Sequence, residues 1–179
     1  MCGIRFRTEP VIGHRLAALA FLSLVGAAQP ASAQEAPTEL PLIDHVVVQK
    51  AARTITLYSQ GQAVHVIGSI QLGGQPLGDK QFEGDKRTPE GRYWIDYGNP
   101  ESSYYLSIHI SYPDAEDIAH AERHGRSPGG QIFIHGQPNW LNTGRMSGDW
   151  TDGCIAVSNA EMDLLWEFVP DGTAIDILP

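Results

Sequence analysis

The sequence predicts a predominantly β domain with two short helices over residues 44–179. Three observations lead there. Apolar and polar residues alternate with the two-residue period of strands, most clearly where Ile55 and Leu57 alternate with Thr54 and Thr56. Nineteen glycines and 12 prolines favour short strands and turns over long helices. Only two segments, beginning near Asp114 and Ser158, carry helix start signals followed by helical spacing. With 179 residues, 42% of them hydrophobic and 18% charged, the chain has the makings of a soluble fold with one core.

Residues 1–33 read as an export leader. Arg5, Arg7 and Arg15 make a basic start, and the apolar run Leu16 to Ala28 is short for a membrane span. Ala31-Ser32-Ala33 then supplies the small-x-small pattern of signal peptidase cleavage. The expectation is an exported, periplasmic protein with no stable membrane anchor once the leader is removed. Residues 34–43, with two prolines and no periodicity, read as a linker.

His45 to Lys50 is expected as a buried strand. The segment from Arg53 to Ile70 is a hairpin turning at Gln60-Gly61. Leu72 to Gly91 is a long glycine-rich loop, a length uncommon unless the loop is functional or disordered. Strands are expected at Arg92 to Tyr97, Tyr104 to Ile110 and Gln131 to His135. The first helix has Asp114 as N-cap, acids in its first turn and Gly125 as its stop. The second has Ser158 and Glu161 at capping-box spacing. Its Met162, Leu165 and Val169 form one face, with Leu164 and Phe168 beside it. Ala174 to Leu178 closes the chain as a strand.

Export changes how charge and cysteine are read. Three of the 12 basic and one of the 21 acidic residues lie in the leader, so the mature chain carries 9 and 20, a formal charge of −11. So acidic a chain repels phosphate backbones and argues against a nucleic-acid partner. Cys2 leaves with the leader, and Cys154 becomes the one thiol of a chain bound for an oxidising compartment.

Cys154 lies in GDWTDGCIAVSN, between a glycine and a run of small apolar residues. From the residues alone it fits either a small core residue or a nucleophile. A nucleophile needs a base that draws off its proton, and backbone N–H groups aimed at the carbonyl oxygen that becomes negative. The N–H groups of Gly153 and Cys154 are candidates for that oxyanion site. His135, ending the apolar run IFIH before Gly136, is the candidate base. A thiol partnered by an imidazolium would alkylate faster than free cysteine at mildly acidic pH.

The order IHG then TDGC, with 19 residues from His135 to Cys154, resembles the L,D-transpeptidase (YkuD-type) catalytic domain family. His135, Gly136, Thr151, Gly153, Cys154 and Ile155 match its His-Gly and Ser/Thr-x-Gly-Cys pattern. Arg87 to Gly91, RTPEG, is similar to its Thr-Pro-x-Gly turn. The resemblance implies a bent-sheet or barrel-like, mostly β fold. It implies Cys154 as nucleophile, His135 as proton donor and acceptor, and no metal or organic cofactor. The implied substrates are peptidoglycan stem peptides, held as a thioester and passed to an amine. Gly153, Gly136 and Thr151 are expected to position the site. Asp149, Trp150, Asp152 and Arg87 are expected to bind substrate, one of the two acids attracting the free ammonium of a diamino-acid stem.

One position departs from the family. Its usual arginine two residues after the cysteine is here Ala156, and Arg87, Arg126 or Arg145 are the candidates to replace it in space. The segment resembles a branch without that arginine, some members of which hydrolyse bonds joining proteins to peptidoglycan. Transfer is taken first, with hydrolysis as the alternative and a wall-linked protein as its added partner. Two weaker alternatives stand. His120 and His124, one helical turn apart, could bind zinc in a metallohydrolase, although Glu122 sits where neither zincin pattern has it. Trp140, Trp150, Tyr104 and Tyr105 could stack on sugars in a non-enzymatic wall-binding module.

Overall fold

The structure is a computed structural model and describes residues 40–179. The expected leader and most of the expected linker lie outside the described residues. The elements run β1 (His45–Gln49), β2 (Thr54–Ser59), β3 (Gln62–Ile67), β4 (Gly91–Asn99), β5 (Ser107–Ile110), α1 (Ala115–Arg123), β6 (Ile132–His135), β7 (Ile155–Ala156), α2 (Asn159–Phe168) and β8 (Thr173–Leu178). The eight strands form one sheet in the order β3-β2-β1-β8-β4-β5-β6-β7, parallel only at β1–β8 and β6–β7. The mostly β architecture is the one expected.

The hairpin turns where expected. Gln60 and Gly61 have φ of 52° and 76°, the left-handed pair that a two-residue turn needs to match strand twist. Both helices begin at the expected caps. Asp114 accepts the N–H groups of Glu116 and Asp117, and Ser158 accepts that of Glu161, each within a reciprocal capping box. Met162, Leu165 and Val169 are buried and Leu164 and Phe168 partly so, the face the spacing predicts.

Two expectations are corrected, and one strand was not expected. Ile43, placed in the linker, is a core residue whose N–H donates to Phe168 O at 2.9 Å, so packing begins there. The strand expected from Tyr104 begins only at Ser107, because Tyr105 turns to φ 69° and gives its N–H to Asn139 Oδ1 instead of a strand neighbour. Strand β7, only two residues long, offers no periodicity to read.

The core lies on one face of the sheet under α2, with Val46, Val48, Ile55, Leu57, Ile95, Ile134, Ile155 and Ile175 fully buried. Strand alternation gives β5 and β6 a second face. Ile108, Ile110, Ile132 and Ile134 point into the core, and Ser107, His109, Phe133 and His135 take the other side.

The long glycine-rich loop is ordered by buried cations rather than by strands. Lys50, 3% exposed at the end of β1, donates to Gly78 O at 2.7 Å, Thr88 O at 2.9 Å and Glu90 Oε1 at 2.7 Å. Lys80, also 3% exposed, donates to Phe82 O and Asp85 Oδ1. All three ammonium protons of Lys50 are thus used, which is what makes its burial tolerable. Lys50→Met removes the cation and strands three acceptors, one of them a carboxylate. It is expected to cost about 3 kcal/mol, read as a lower urea midpoint at unchanged slope.

Candidate active site

Strand β6 carries His135 at its end, and β7 pairs with it in parallel, His135 beside Ala156 and Ile134 beside Ile155. That register sets Cys154 beside Phe133. Alternation then places Phe133, His135 and Cys154 on the face opposite the core. The thiol and the imidazole line one cavity of about 330 Å³, with Ser102, Tyr104, Ser107 and Gln131 among its walls.

His135 is 3% exposed. Its Nδ1 lies 2.7 Å from Gly136 O. A carbonyl can only accept, so Nδ1 carries the proton and Nε2 is left as a free base. The ring is held between the Tyr104 ring at 4.6 Å and the edge-on Trp150 ring at 5.5 Å. Burial lowers the imidazole pKa below its ordinary value, opposed by the Gly136 hydrogen bond. Burial also raises the Cys154 thiol; the Phe133 N–H and Lys80 pull it down, and Asp152 pushes it up. Both shifts act toward a neutral thiol and a neutral imidazole, against the imidazolium-activated thiol considered from the sequence. Cys154 Sγ donates to Gln131 O at 3.5 Å and accepts the Phe133 N–H at 3.4 Å.

The turn that presents the cysteine is closed by Thr151. Its hydroxyl donates to Cys154 O at 2.7 Å and accepts the Gly153 N–H at 3.2 Å. The Gly153 N–H is therefore occupied, which corrects its expected part in an oxyanion site. The hydrogen bonds of the turn leave the Cys154 N–H without an acceptor among the described residues. Gly136 is a position of close approach, since a Cβ there would sit 2.7 Å from Asn159 Oδ1.

The expected substrate residues separate. Asp149 receives both guanidinium arms of Arg53, at 2.6 and 2.7 Å, and the Leu72 N–H at 2.9 Å. Its carboxylate is a structural anchor, not a free ligand for an ammonium. Trp150 packs on His135 and Tyr104, whereas Tyr104 keeps an exposed face. The Asp152 side chain is 87% exposed and makes only a long ion pair with Lys86 Nζ, at 3.7 Å. It lines a wider groove of about 800 Å³ with Lys80, Glu83, Lys86 and Gln131.

No expected arginine replaces the one missing at Ala156. Arg87 sends Nη1 to Asp79 O, Arg126 lies over the Phe82 ring, and Arg145 binds Ser69 O and Glu161. Ala156 is itself fully buried and exchanges backbone hydrogen bonds with Gln71. His120 and His124 pack against each other and around Phe82, and no third ligand joins them among the described residues. The sequence reading missed Gln131 and Gln137. Gln137, 2% exposed, donates to Val157 O and Gln71 Oε1 and accepts the Met146 N–H, tying the strand-end loop to the turn after β7. A lone loop glutamine carries no signal of such a role.

Residues 43–177 match the L,D-transpeptidase catalytic domain family (YkuD). YafK of Escherichia coli, an L,D-transpeptidase by name, is 31% identical over 132 residues, covering 70% of this chain and 46% of that protein. The crystal structure of the helical cell shape determining protein Pgp2 from Campylobacter jejuni superposes with a TM-score of 0.60 at 26% identity, covering 75% of this chain and 47% of that one. Bd1075 of Bdellovibrio bacteriovorus shares the fold at a TM-score of 0.51 and 21% identity, over 80% of this chain and 50% of that one. The chain thus spans about half the length of the relatives it matches.

The neutral pair sets the pH dependence of the thiol. A folded-state thiol pKa above the ordinary value of about 8.5 leaves less thiolate than free cysteine at every pH below it. Alkylation of Cys154 is therefore expected to be slower than that of free cysteine at neutral pH and to climb in the alkaline range. Stopped-time mass measurement of carboxamidomethylation checks this; a rate above free cysteine at mildly acidic pH would restore the ion pair.

Proposed function

The chain belongs to the L,D-transpeptidase catalytic domain family, and from that premise we propose that it is an exported, periplasmic peptidoglycan-modifying acyltransferase with Cys154 as nucleophile and His135 as proton carrier. The observation that supports this most is the shared cavity. One strand end and the turn before its parallel neighbour bring a thiol and an imidazole of fixed tautomer to the same concave surface. Among the described residues no helix is long and apolar enough to cross a membrane.

The chemistry follows from the neutral pair. Nε2 takes the thiol proton as Sγ attacks the carbonyl between an L-centre and a D-amino acid of the stem peptide. The carbonyl oxygen becomes negative, and the Cys154 N–H is the donor the turn leaves for it. The imidazolium then gives its proton to the departing amine, and a thioester remains. An incoming amine loses a proton to Nε2 as it attacks the thioester, and Sγ leaves as thiolate and is reprotonated. The imidazole thus works twice as base and twice as acid, and Gly136 O holds its other nitrogen throughout. With water in place of the amine, the same steps give hydrolysis.

One observation favours hydrolysis as the second reading. Glu101 is the one charged residue among the cavity walls with Cys154, and no cation takes the place of the family arginine there. An amine acceptor must be held in line while water is kept out, whereas hydrolysis needs only that water enter.

Given a tetrapeptide muropeptide and excess D-amino acid, the enzyme is expected to exchange the terminal D-residue, seen as a mass change that Cys154→Ala abolishes. Release of protein from a protein-linked muropeptide without any exchange would establish hydrolysis instead. Asp152, exposed in the charged groove, is proposed to attract the free ammonium of a diamino-acid stem. Asp152→Asn is expected to lower kcat/KM for that stem roughly two- to fivefold, the scale of an exposed ion pair. A stem with its amine blocked should be unaffected, and an equal loss on both would remove Asp152 from recognition.

A further inference from the structure

Gln131 is unusual on three counts. Its backbone is left-handed, with φ 57°, at the residue immediately before β6. For a residue with a Cβ this conformation is strained, and glycines at 129 and 130 precede it, so the chain has glycine at hand but not at the left-handed position that matters here. Its carbonyl accepts the Cys154 thiol at 3.5 Å. The residue lines both the cysteine cavity and the charged groove, and so stands between them.

We propose that Gln131 is a positioning residue whose carbonyl holds the Cys154 thiol away from His135 in the resting enzyme, so that the nucleophile forms only when a bound substrate displaces that contact. The inference rests on the reading of Cys154 and His135 as the reacting pair. A thiol has one proton. While the S–H is donated to Gln131 O it is not shared with His135 Nε2, and the ring is not in line to take it. The Phe133 N–H donated to Sγ completes the backbone contacts of the neutral thiol.

Release moves the S–H from Gln131 O toward Nε2, and the proton passes to the ring as sulfur attacks. The left-handed backbone is what aims the carbonyl, since rotation of residue 131 into the extended region would redirect it. A stem peptide reaching from the cavity into the charged groove must cross Gln131. Contact there is the means by which occupancy reaches the carbonyl. The charged groups that act on Sγ are Asp152 from its own turn and Lys80 from the long loop, and they oppose each other.

The test uses substitutions that change the backbone preference of residue 131. Gln131→Gly keeps both the left-handed backbone and the carbonyl, and is expected to alkylate as the unaltered protein does while KM rises through loss of the side chain. Gln131→Val disfavours the left-handed region strongly. It is expected to alkylate on the order of tenfold faster at near-neutral pH, the effect of about one pKa unit on thiolate fraction. Adding His135→Ala to Gln131→Val should remove the gain.

A folded Gln131→Val protein with the alkylation profile of the unaltered enzyme would overturn the proposal. Should that variant not fold, the infrared S–H stretch of Cys154 in the unaltered protein decides, assigned by its loss in Cys154→Ala. A band lowered in frequency by an acceptor supports the carbonyl contact, and a band at the free-thiol frequency overturns it. Turnover that survives Cys154→Ala would instead defeat the reading of the reacting pair, a result separate from either outcome at Gln131.

Discussion

The cysteine turn depends on three backbone segments meeting at distances no side chain permits. A Cβ on Gly153 would lie 2.7 Å from Arg87 O, and one on Gly73 would lie 2.1 Å from Lys86 O and 3.1 Å from the Gly153 Cα. The three segments therefore stack backbone on backbone, with φ 131° at Gly153 completing the fit. The Thr-Pro-x-Gly turn gains a physical meaning from this. Thr88 presents its hydroxyl to the Gly73 N–H and its carbonyl to Lys50, so Arg87 is fixed beneath the turn that carries Cys154. A buried lysine at the end of β1 is in this way connected to the position of the thiol. Thr151, paired by backbone to Leu72 and Gly74, is the second tie between the same segments.

Burial has a different consequence on each side of the cavity. It raises the acid and weakens the base, so ground-state proton transfer from Cys154 to His135 is disfavoured twice. For the proposed chemistry this is workable because charge needs to appear only as the carbonyl is attacked, when the oxyanion and the imidazolium form together in a low-dielectric site. A neutral thiol also resists oxidation better than an exposed thiolate does. For the proposed chemistry, the arrangement would give up resting reactivity and keep the thiol intact between substrates.

What could be read from the chain divides by distance along it. The helix caps at Asp114 and Ser158 and the hairpin at Gln60-Gly61 are local rules satisfied within four residues, and all three stand. That His135 and Cys154 line one cavity was foreshadowed by the family pattern of small motifs rather than by periodicity, since β7 is only two residues long. Asp149 was misread because its partner, Arg53, lies 96 residues away. From sequence a free carboxylate and an anchored one look the same. Gln131 was missed for a related reason: a left-handed glutamine is a property of φ, not of composition.

The loss of the family arginine at Ala156 bears on the choice between transfer and hydrolysis through charge placement. Ala156 lies fully buried beside His135 in register and joined to Gln71, so the position is filled by close packing and not by a recruited cation. The cations near the cysteine, Lys80 and Lys86, stand instead across Gln131 in the charged groove with Glu83 and Asp152. A group bearing both charges finds complementary partners only on that side, whereas the cavity with His135 offers hydroxyls, an aromatic wall and one carboxylate. On the proposed reading, an acceptor reaching a thioester from the charged side would be selected by its charges, whereas water entering from the cavity side would not. The balance between transfer and hydrolysis would then be governed less by the thiol and imidazole, which would serve both equally, than by how long an occupant of the groove keeps water from the bond between Sγ and the acyl carbon.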